Sequence, residues 1–534
     1  MNKSILKKYL PFLTFIIFCI YIITIELSYY FDSSLGKIGV VLWYMLGVLL
    51  ITHTILELFS LLKKVSKGHF IVPLVIFLIL NVVGIFYMAR PENISLEATQ
   101  QVSCAINNFS VSEDWGYFQN CFLGYPARQF LMPLIPSLVG KSVFTLHLGN
   151  YIYFLIGQVL FLSVSAKWIS STNKIQENLV SMLLIIPFHF HFFNYLNLTF
   201  EQAFYPIGLG LILFSTLLNL KLQINVRNIL IFLISGLLII SSYTTALAYI
   251  PLIFLFGLYF LIIQKSSKKH KTIILSSLIT LAVSLVVSLA YRGDLRFENN
   301  KEVLDKEKTE LIVRTIFGLS DGINFVSPVF TLIWILTLVS ALLFKFRLLG
   351  VVFLVWVIAV FHSSVSTHGY AGPDMVFSLY RASVLIPPML FLLLYNRVSF
   401  FNKKYSLIVV LILLISGLLF QYDYYKTKAD NKSVILYELY TTLNREVEPP
   451  KEKLYLFELD KEPFLPILNG SGYFMKDIEL IFTKDLCIVD SKNSAILSDK
   501  AIPDVECENE VDYNQLDQKS LTIEGINDTL YLYQ

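Results

Sequence analysis

Charge is scarce in this chain of 534 residues. Only 15% of them are Asp, Glu, Lys or Arg, against about 25% in a soluble globular domain. The net charge of +3 is too small to mark a nucleic-acid binder. No Walker loop, His-Glu-x-x-His or Cys-x-x-Cys occurs, which leaves an ATP-driven pump or a zincin without support. Internal repeats and low-complexity tracts are also missing. Mid-span charges are nearly so, although a transporter needs inverted repeats or intramembrane charge.

What the chain has instead is apolar length. It is 55% hydrophobic, with a mean hydropathy of +0.65. Runs of roughly 15–20 apolar residues, the length needed to cross a bilayer, recur about thirteen times. They cover 9–30, 38–62, 70–89, 144–166, 179–196, 203–220, 228–243, 246–264, 272–291, 329–345, 349–364, 384–396 and 405–421. The run 228–264 exceeds one span and divides at 241–245. The expected fold is therefore a polytopic α-helical membrane protein. The first span follows Lys3, Lys7 and Lys8 without a small-residue cleavage site, so it reads as a retained anchor.

Orientation follows from the cations. Alternate loops carry Lys63, Lys64 and Lys67; Lys167 and Lys174; Lys221 and Arg227; Lys265, Lys268, Lys269 and Lys271; Lys345 and Arg347; and Arg397, Lys403 and Lys404. The opposite loops carry few. The positive-inside rule puts the basic loops, and the N-terminus, in the cytoplasm. The 90–143 loop, the 292–328 loop and the tail from about 425 are then extracytoplasmic. Two cysteine pairs fall on that side, Cys104 with Cys121 and Cys487 with Cys507. They are disulfide candidates in an oxidising compartment, with free thiols as the alternative.

Two domains result. Residues 1–424 form the membrane domain. Residues 425–534 form a small extracytoplasmic domain, α/β or β-rich, with strand-like runs at 454–458, 477–482 and 529–533 separated by turn residues.

Chemistry concentrates in the first outer loop, which is too long to be a mere connector. It holds Glu92, Glu97, Glu113 and Asp114. The apolar spacing of 95–106 predicts a short helix along the membrane surface that carries Glu97. The proline-broken run 124–140, which includes Arg128, predicts a second one. Glu201 lies in the outer turn Asn197–Ala203, where a solvated helix-start acid is the alternative. The loop 366–382 carries His368, Tyr380 and Arg381. An arginine fork suits a phosphate, and a snorkelling span-end arginine is the competing reading. His189 and His191 lack a nearby acid and read as structural or substrate-lining; His147 reads as lining a cavity. Arg292, Asp294, Arg296 and Glu298 read as a solvated cap.

The order of these features resembles the GT-C superfamily of membrane glycosyltransferases. An acid follows an early span, an interfacial helix and Tyr125-Pro126 come next, and Gly140-Lys141-Ser142 breaks before Leu146-His147-Leu148 opens the next span. The nearest pattern is that of the protein mannosyltransferases and aminoarabinose transferases. Leu96-Glu97 stands where that pattern has an acidic pair, so Glu97 or Glu92 takes the role of base. The similarity covers about 70–220 and 365–400.

The resemblance implies a glycosyltransferase that moves a hexose from a polyprenyl-phosphate donor, such as undecaprenyl phosphate, to a glycan or glycolipid acceptor such as the O-antigen of lipopolysaccharide. It implies Glu97, Glu92 and Glu201 as catalytic carboxylates. Arg381, with Arg128, His368 and Tyr380, is implied at the lipid phosphate. The implied location is a bacterial inner membrane with the site on the periplasmic side. Membrane lipid is a partner, and a flippase and a donor-synthesising glycosyltransferase are partners in the pathway. No cofactor is expected; a divalent metal is compatible with the chemistry but has no motif behind it. The alternatives are a surface-polysaccharide polymerase, which should have arginine-rich outer loops, and a lipid or sugar transporter.

Overall fold

The computed structural model describes residues 3–31, 71–88, 134–168, 200–240, 249–262, 267–292, 431–447, 451–457, 478–489, 493–500, 502, 517–522 and 529–534. It also describes isolated helical positions between 38 and 56 and between 339 and 415. In the first part these form α1 (Lys3–Phe31), α2 (Ile71–Met88), α3 (Leu134–Val139), α4 (Val143–Trp168), α5 (Phe200–Leu222), α6 (Val226–Ile240), α7 (Tyr249–Ile262) and α8 (Lys268–Arg292). These helices fall on the apolar runs of the sequence. α6 and α7 end and begin on either side of the break expected at 241–245.

Among the described residues one helix, Lys268–Val286, is long and apolar enough to cross a membrane. Val143–Gly149 with Tyr151–Ser165, bent by 45°, adds a second if the pair is one span. Tyr9–Tyr21, Ile207–Leu222, Val226–Ile240 and Leu252–Ile262 are shorter apolar helices.

Three of the helices expose apolar faces. On α1 the outer face is Tyr9, Phe12, Leu13, Ile16, Ile20 and Ile23, all exposed, while Thr14, Tyr21 and Thr24 are buried on the inner one. On α2 the exposed residues are Val75, Leu78, Ile79 and Val82, and Asn81 is buried. On α8 the exposed stripe is Leu275, Ile279, Val283 and Val286. Each exposed set has helical spacing, and the buried faces mix these few polar residues with Leu10, Phe18, Leu80, Leu278 and Leu281. Hydroxyls are satisfied within their own helix: Thr14 Oγ1 donates to Leu10 O at 2.8 Å, Thr24 Oγ1 to Ile20 O at 2.8 Å and Thr280 Oγ1 to Ser276 O at 2.9 Å. Such bonds spare a polar group any need for water.

Among the described residues α4 and α5 form the most extensive helix pair. Their backbones touch at glycines. A Cβ on Gly157 would lie 2.6 Å from Gly208 O, and one on Gly208 would lie 2.5 Å from Tyr153 C and O. Small residues at crossings let helices without a hydrophobic drive approach closely. α6 and α7 also present glycines to α8, but against side chains: Gly236 faces Leu281 and Gly257 faces Leu278.

In the second part, α9 (Asn431–Glu446) precedes β1 (Lys453–Phe457), β2 (Glu479–Thr483), a 3-10 turn at Leu486–Ile488, β3 (Ser494–Ser498), β4 (Gln518–Leu521) and β5 (Leu530–Tyr533). They make one sheet in the order β2-β1-β3-β5-β4. β1 is parallel to both β2 and β3, and β5 is antiparallel to both β3 and β4. β1 and β3 are buried on both faces, as central parallel strands require. Tyr455, Phe457, Ile496 and Tyr533 pack with Leu486 and Val489. The end of α9 is tied to the antiparallel edge: Gln534 Nε2 donates to Glu446 O at 3.1 Å, and Lys519 bonds the Glu446 carboxylate. β1, β2 and β5 overlap the strand-like runs of the sequence; β3 and β4 had no counterpart there.

Candidate functional site

The α3–α4 break has a clear local cause. Gly140 has φ +111°, a conformation that side-chain-bearing residues avoid, and it turns the chain after α3. Ser142 then caps α4. Its Oγ accepts from Thr145 N at 3.1 Å, and Thr145 Oγ1 accepts from Ser142 N at 2.9 Å, a reciprocal cap. Thr145 Oγ1 also donates to Gly140 O at 2.6 Å. α4 is thus held firmly at the point where the chain leaves the short helix α3.

Behind this cap α4 buries several polar side chains. Thr145, His147, Gln158, Ser163 and Ser165 of α4 are all buried. Tyr151 Oη donates to Asn81 Oδ1 at 2.6 Å, while Asn81 Nδ2 donates to Phe77 O at 2.7 Å. That pair joins α2 to α4. None of these groups except His147 stood out in the sequence. Their signal was a polar residue inside an apolar run.

α4 and α5 run parallel. Tyr153 meets Gly208, Gly157 meets Leu211, and Phe161 stacks near Phe214 with ring centroids 6.1 Å apart, so the partners advance together. Because the partners advance together, α5 begins near the end at which α4 begins, so residues 169–199 connect opposite ends of the pair.

The two ends of the bundle differ in charge. Trp168 of α4 lies 5.8 Å from Phe260 of α7. Asn219 of α5 bonds Asn228 of α6 at 3.0 Å. Burial, and after it the charge of Lys271, holds the Lys221 ammonium below its ordinary pKa. These contacts gather Lys167, Lys221, Arg227, Lys268, Lys269 and Lys271 at one end. Glu201 occupies the first turn of α5, at the other.

Glu92, Glu97, Arg128, His189, His191, His368, Tyr380 and Arg381 lie outside the described residues, as do Cys104, Cys121 and Cys507. Cys487 is disulfide-bonded within the 3-10 turn, whose N-cap Asp485 accepts from Cys487 N at 2.9 Å. Among the described residues no group of three His, Cys, Asp or Glu could hold a metal ion. No protein-family model, curated protein or solved structure matches the chain.

Proposed function

We propose that this chain is a polytopic α-helical membrane glycosyltransferase of GT-C type. In this reading it moves a hexose from a polyprenyl-phosphate donor to an extracytoplasmic glycan such as O-antigen. The observation that carries the reading is sidedness: Glu201 opens α5 at the end of the bundle opposite the cationic cluster around Lys221. With the cations cytoplasmic, the start of α5, where Glu201 stands in the chain, belongs to the side where a lipid-borne sugar is the available donor. The outward aliphatic faces of α1, α2 and α8 support a lipid surrounding, since apolar surface of that extent is unfavourable in water. The parallel α4 and α5 support an intervening span within 169–199. The disulfide at Cys487 supports an oxidising compartment for the tail.

The chemistry is a single displacement. The acceptor oxygen attacks the anomeric carbon, the bond from that carbon to the phosphate oxygen breaks, and the acceptor proton passes to a carboxylate. Glu97 is the base, with Glu92 as its substitute, and Glu201 orients the acceptor. A well-placed base contributes about 10²–10⁴-fold in rate. Arg381 binds the departing polyprenyl phosphate and offsets its growing charge, with Arg128, His368 and Tyr380 beside it. Chain length alone keeps Glu92 within about 14 Å of Met88, where α2 ends. If spans alternate, Met88 lies on the same side as Glu201.

The test is Glu97→Gln and Arg381→Ala in membranes where both variants insert normally. Transfer of labelled sugar from the lipid donor should fall by about 10²-fold or more for Glu97→Gln. Wild-type transfer by both variants refutes the assignment.

A further inference from the structure

Three helix ends build the cationic end of the bundle. α5 finishes with Lys221 in its last turn, α6 starts beside it with Arg227 in its first turn, and α8 starts with Lys268, Lys269 and Lys271. Side chains fix the turn between α5 and α6: Asn228 N donates to Asn225 Oδ1 at 2.8 Å, and Asn228 Nδ2 donates to Gln223 O at 2.6 Å. α8 comes to the same end, since the charge of Lys271 reaches Lys221. The crossing of Gly236 with Leu281 agrees, because it lies roughly three turns into each of α6 and α8. The arrangement is unfavourable by itself. Cations at a helix start oppose the positive end of its dipole, and Lys268 and Lys271 are like charges on neighbouring helix positions. No Asp or Glu occurs between Glu201 and Asp294, so the segment that carries these cations brings no carboxylate to this end.

Exposed apolar side chains surround the same cations. Leu222 and Val226 are exposed where α5 ends and α6 begins, and Ile262 is exposed where α7 ends, close to the contact of Phe260 with Trp168. On α8 the exposed stripe of Leu275, Ile279, Val283 and Val286 runs back along one face to Lys268, which is also exposed and lies roughly two turns before Leu275 on the same line. Thr272 lies between them, exposed, with its Oγ1 donating to Lys268 O at 3.1 Å. One helix face thus carries cations at the end of a long aliphatic track. A phospholipid has the matching outline, an anionic headgroup above an acyl chain.

We propose that this end of the bundle binds an anionic glycerophospholipid of the cytoplasmic leaflet. Lys268, Lys269 and Lys271 supply the charge that holds its phosphate, Lys221 adds to it from α5, and the aliphatic stripe of α8 lies along an acyl chain. The phosphate offsets the repulsion among the lysines and meets the start of α8 favourably. A zwitterionic headgroup brings an ammonium of its own and offsets less. A soluble phosphate leaves the stripe uncovered. The proposal rests on the membrane reading, with this end cytoplasmic, and is independent of the transfer chemistry.

Full-length protein in detergent tests the site as wild type, as a triple Gln variant (Lys268→Gln, Lys269→Gln, Lys271→Gln) and as a triple Arg variant (Lys268→Arg, Lys269→Arg, Lys271→Arg). Each receives equal amounts of phosphatidylglycerol and phosphatidylcholine, and native mass spectrometry counts the lipid retained. Wild type should retain phosphatidylglycerol in preference. That preference should fall at least about tenfold in the Gln variant and return in the Arg variant, with one unfolding temperature for all three in phosphatidylcholine. No preference in wild type overturns the proposal, as does an equal preference in the Gln variant or a loss in the Arg variant. Displacement of phosphatidylglycerol by the same concentration of sn-glycerol 3-phosphate overturns it in favour of a soluble anion. A Gln variant that melts below wild type in phosphatidylcholine also overturns it, because the lysines would then be holding the fold. Protein that stays in solution when cells are broken without detergent refutes the membrane reading and the site together; membrane-embedded protein without the lipid preference refutes the site alone. If Glu97→Gln transfers at the wild-type rate while the lysine-dependent preference persists, the transferase reading fails and the lipid site stands.

Discussion

The Gly208→Ala variant probes the contact on which the bundle turns. The new Cβ would lie 2.5 Å from the carbonyl carbon and oxygen of Tyr153 and 2.6 Å from Phe154 N. All three are backbone atoms in the middle of α4 and cannot rotate away. Relief requires α4 and α5 to separate by about 1 Å, since carbon atoms prefer about 3.5–4.0 Å. That loosens a seam in which Tyr153, Phe154 and Phe214 are fully buried. Overpacking costs about 1–3 kcal/mol, and two backbones in contact put this case near about 3. Ala recovers about 1 kcal/mol of helix propensity over Gly. The net loss is about 2 kcal/mol, or roughly 30-fold in the folded-to-unfolded ratio. Gly236→Ala is the control, because its Cβ meets only the tip of the Leu281 side chain, which can turn aside. The cost there is about 1 kcal/mol and propensity cancels it. Thermal unfolding of the detergent-purified full chain, followed by loss of the monodisperse peak, reads both variants. Gly208→Ala should melt below wild type, and Gly236→Ala at or near it. An unchanged Gly208→Ala, or a Gly236→Ala that melts lower still, refutes the close-crossing argument.

Two further predictions concern the C-terminal sheet. Hydrogen bonds from Lys519 and then Arg445 hold the Glu446 carboxyl below its ordinary pKa. A depressed folded pKa contributes stability above the ordinary value of 4.5 that is lost as pH falls through the folded one. Hydrogen exchange of the β4 and β5 amides should therefore accelerate in acid for wild type, and less steeply for Glu446→Gln; identical pH slopes would sink the idea. Cys487→Ser should cost about 2–4 kcal/mol, seen as faster exchange around Leu486–Ile488 and reproduced by reductant on wild type but not on the variant. A variant as protected as unreduced wild type argues that the bridge is dispensable.

Local pattern was enough for the elements that bury or present one uniform kind of surface. Each apolar run from 9–30 to 272–291 that falls among the described residues carries a helix, because a long apolar segment has few other ways to satisfy its backbone. β1, β2 and β5 were legible as Leu/Tyr/Phe-rich runs. β4 was not, since Gln518, Lys519 and Ser520 lie exposed on an edge and need no apolar alternation. β3 was missed because Ser494 and Ser498 bound it and leave an apolar run of only Ala495, Ile496 and Leu497, although the strand is wholly buried.

Composition and cation spacing alone determined that the chain is apolar and unevenly charged along its length. Only tertiary structure decided that α4 and α5 run parallel through Gly157 and Gly208, that Tyr151 reaches Asn81, and that Ser498 ends a strand beside the end of β1. Residues far apart in the chain meet through backbone approach and strand order. Neither leaves a local period in the sequence, because each depends on what the distant partner presents.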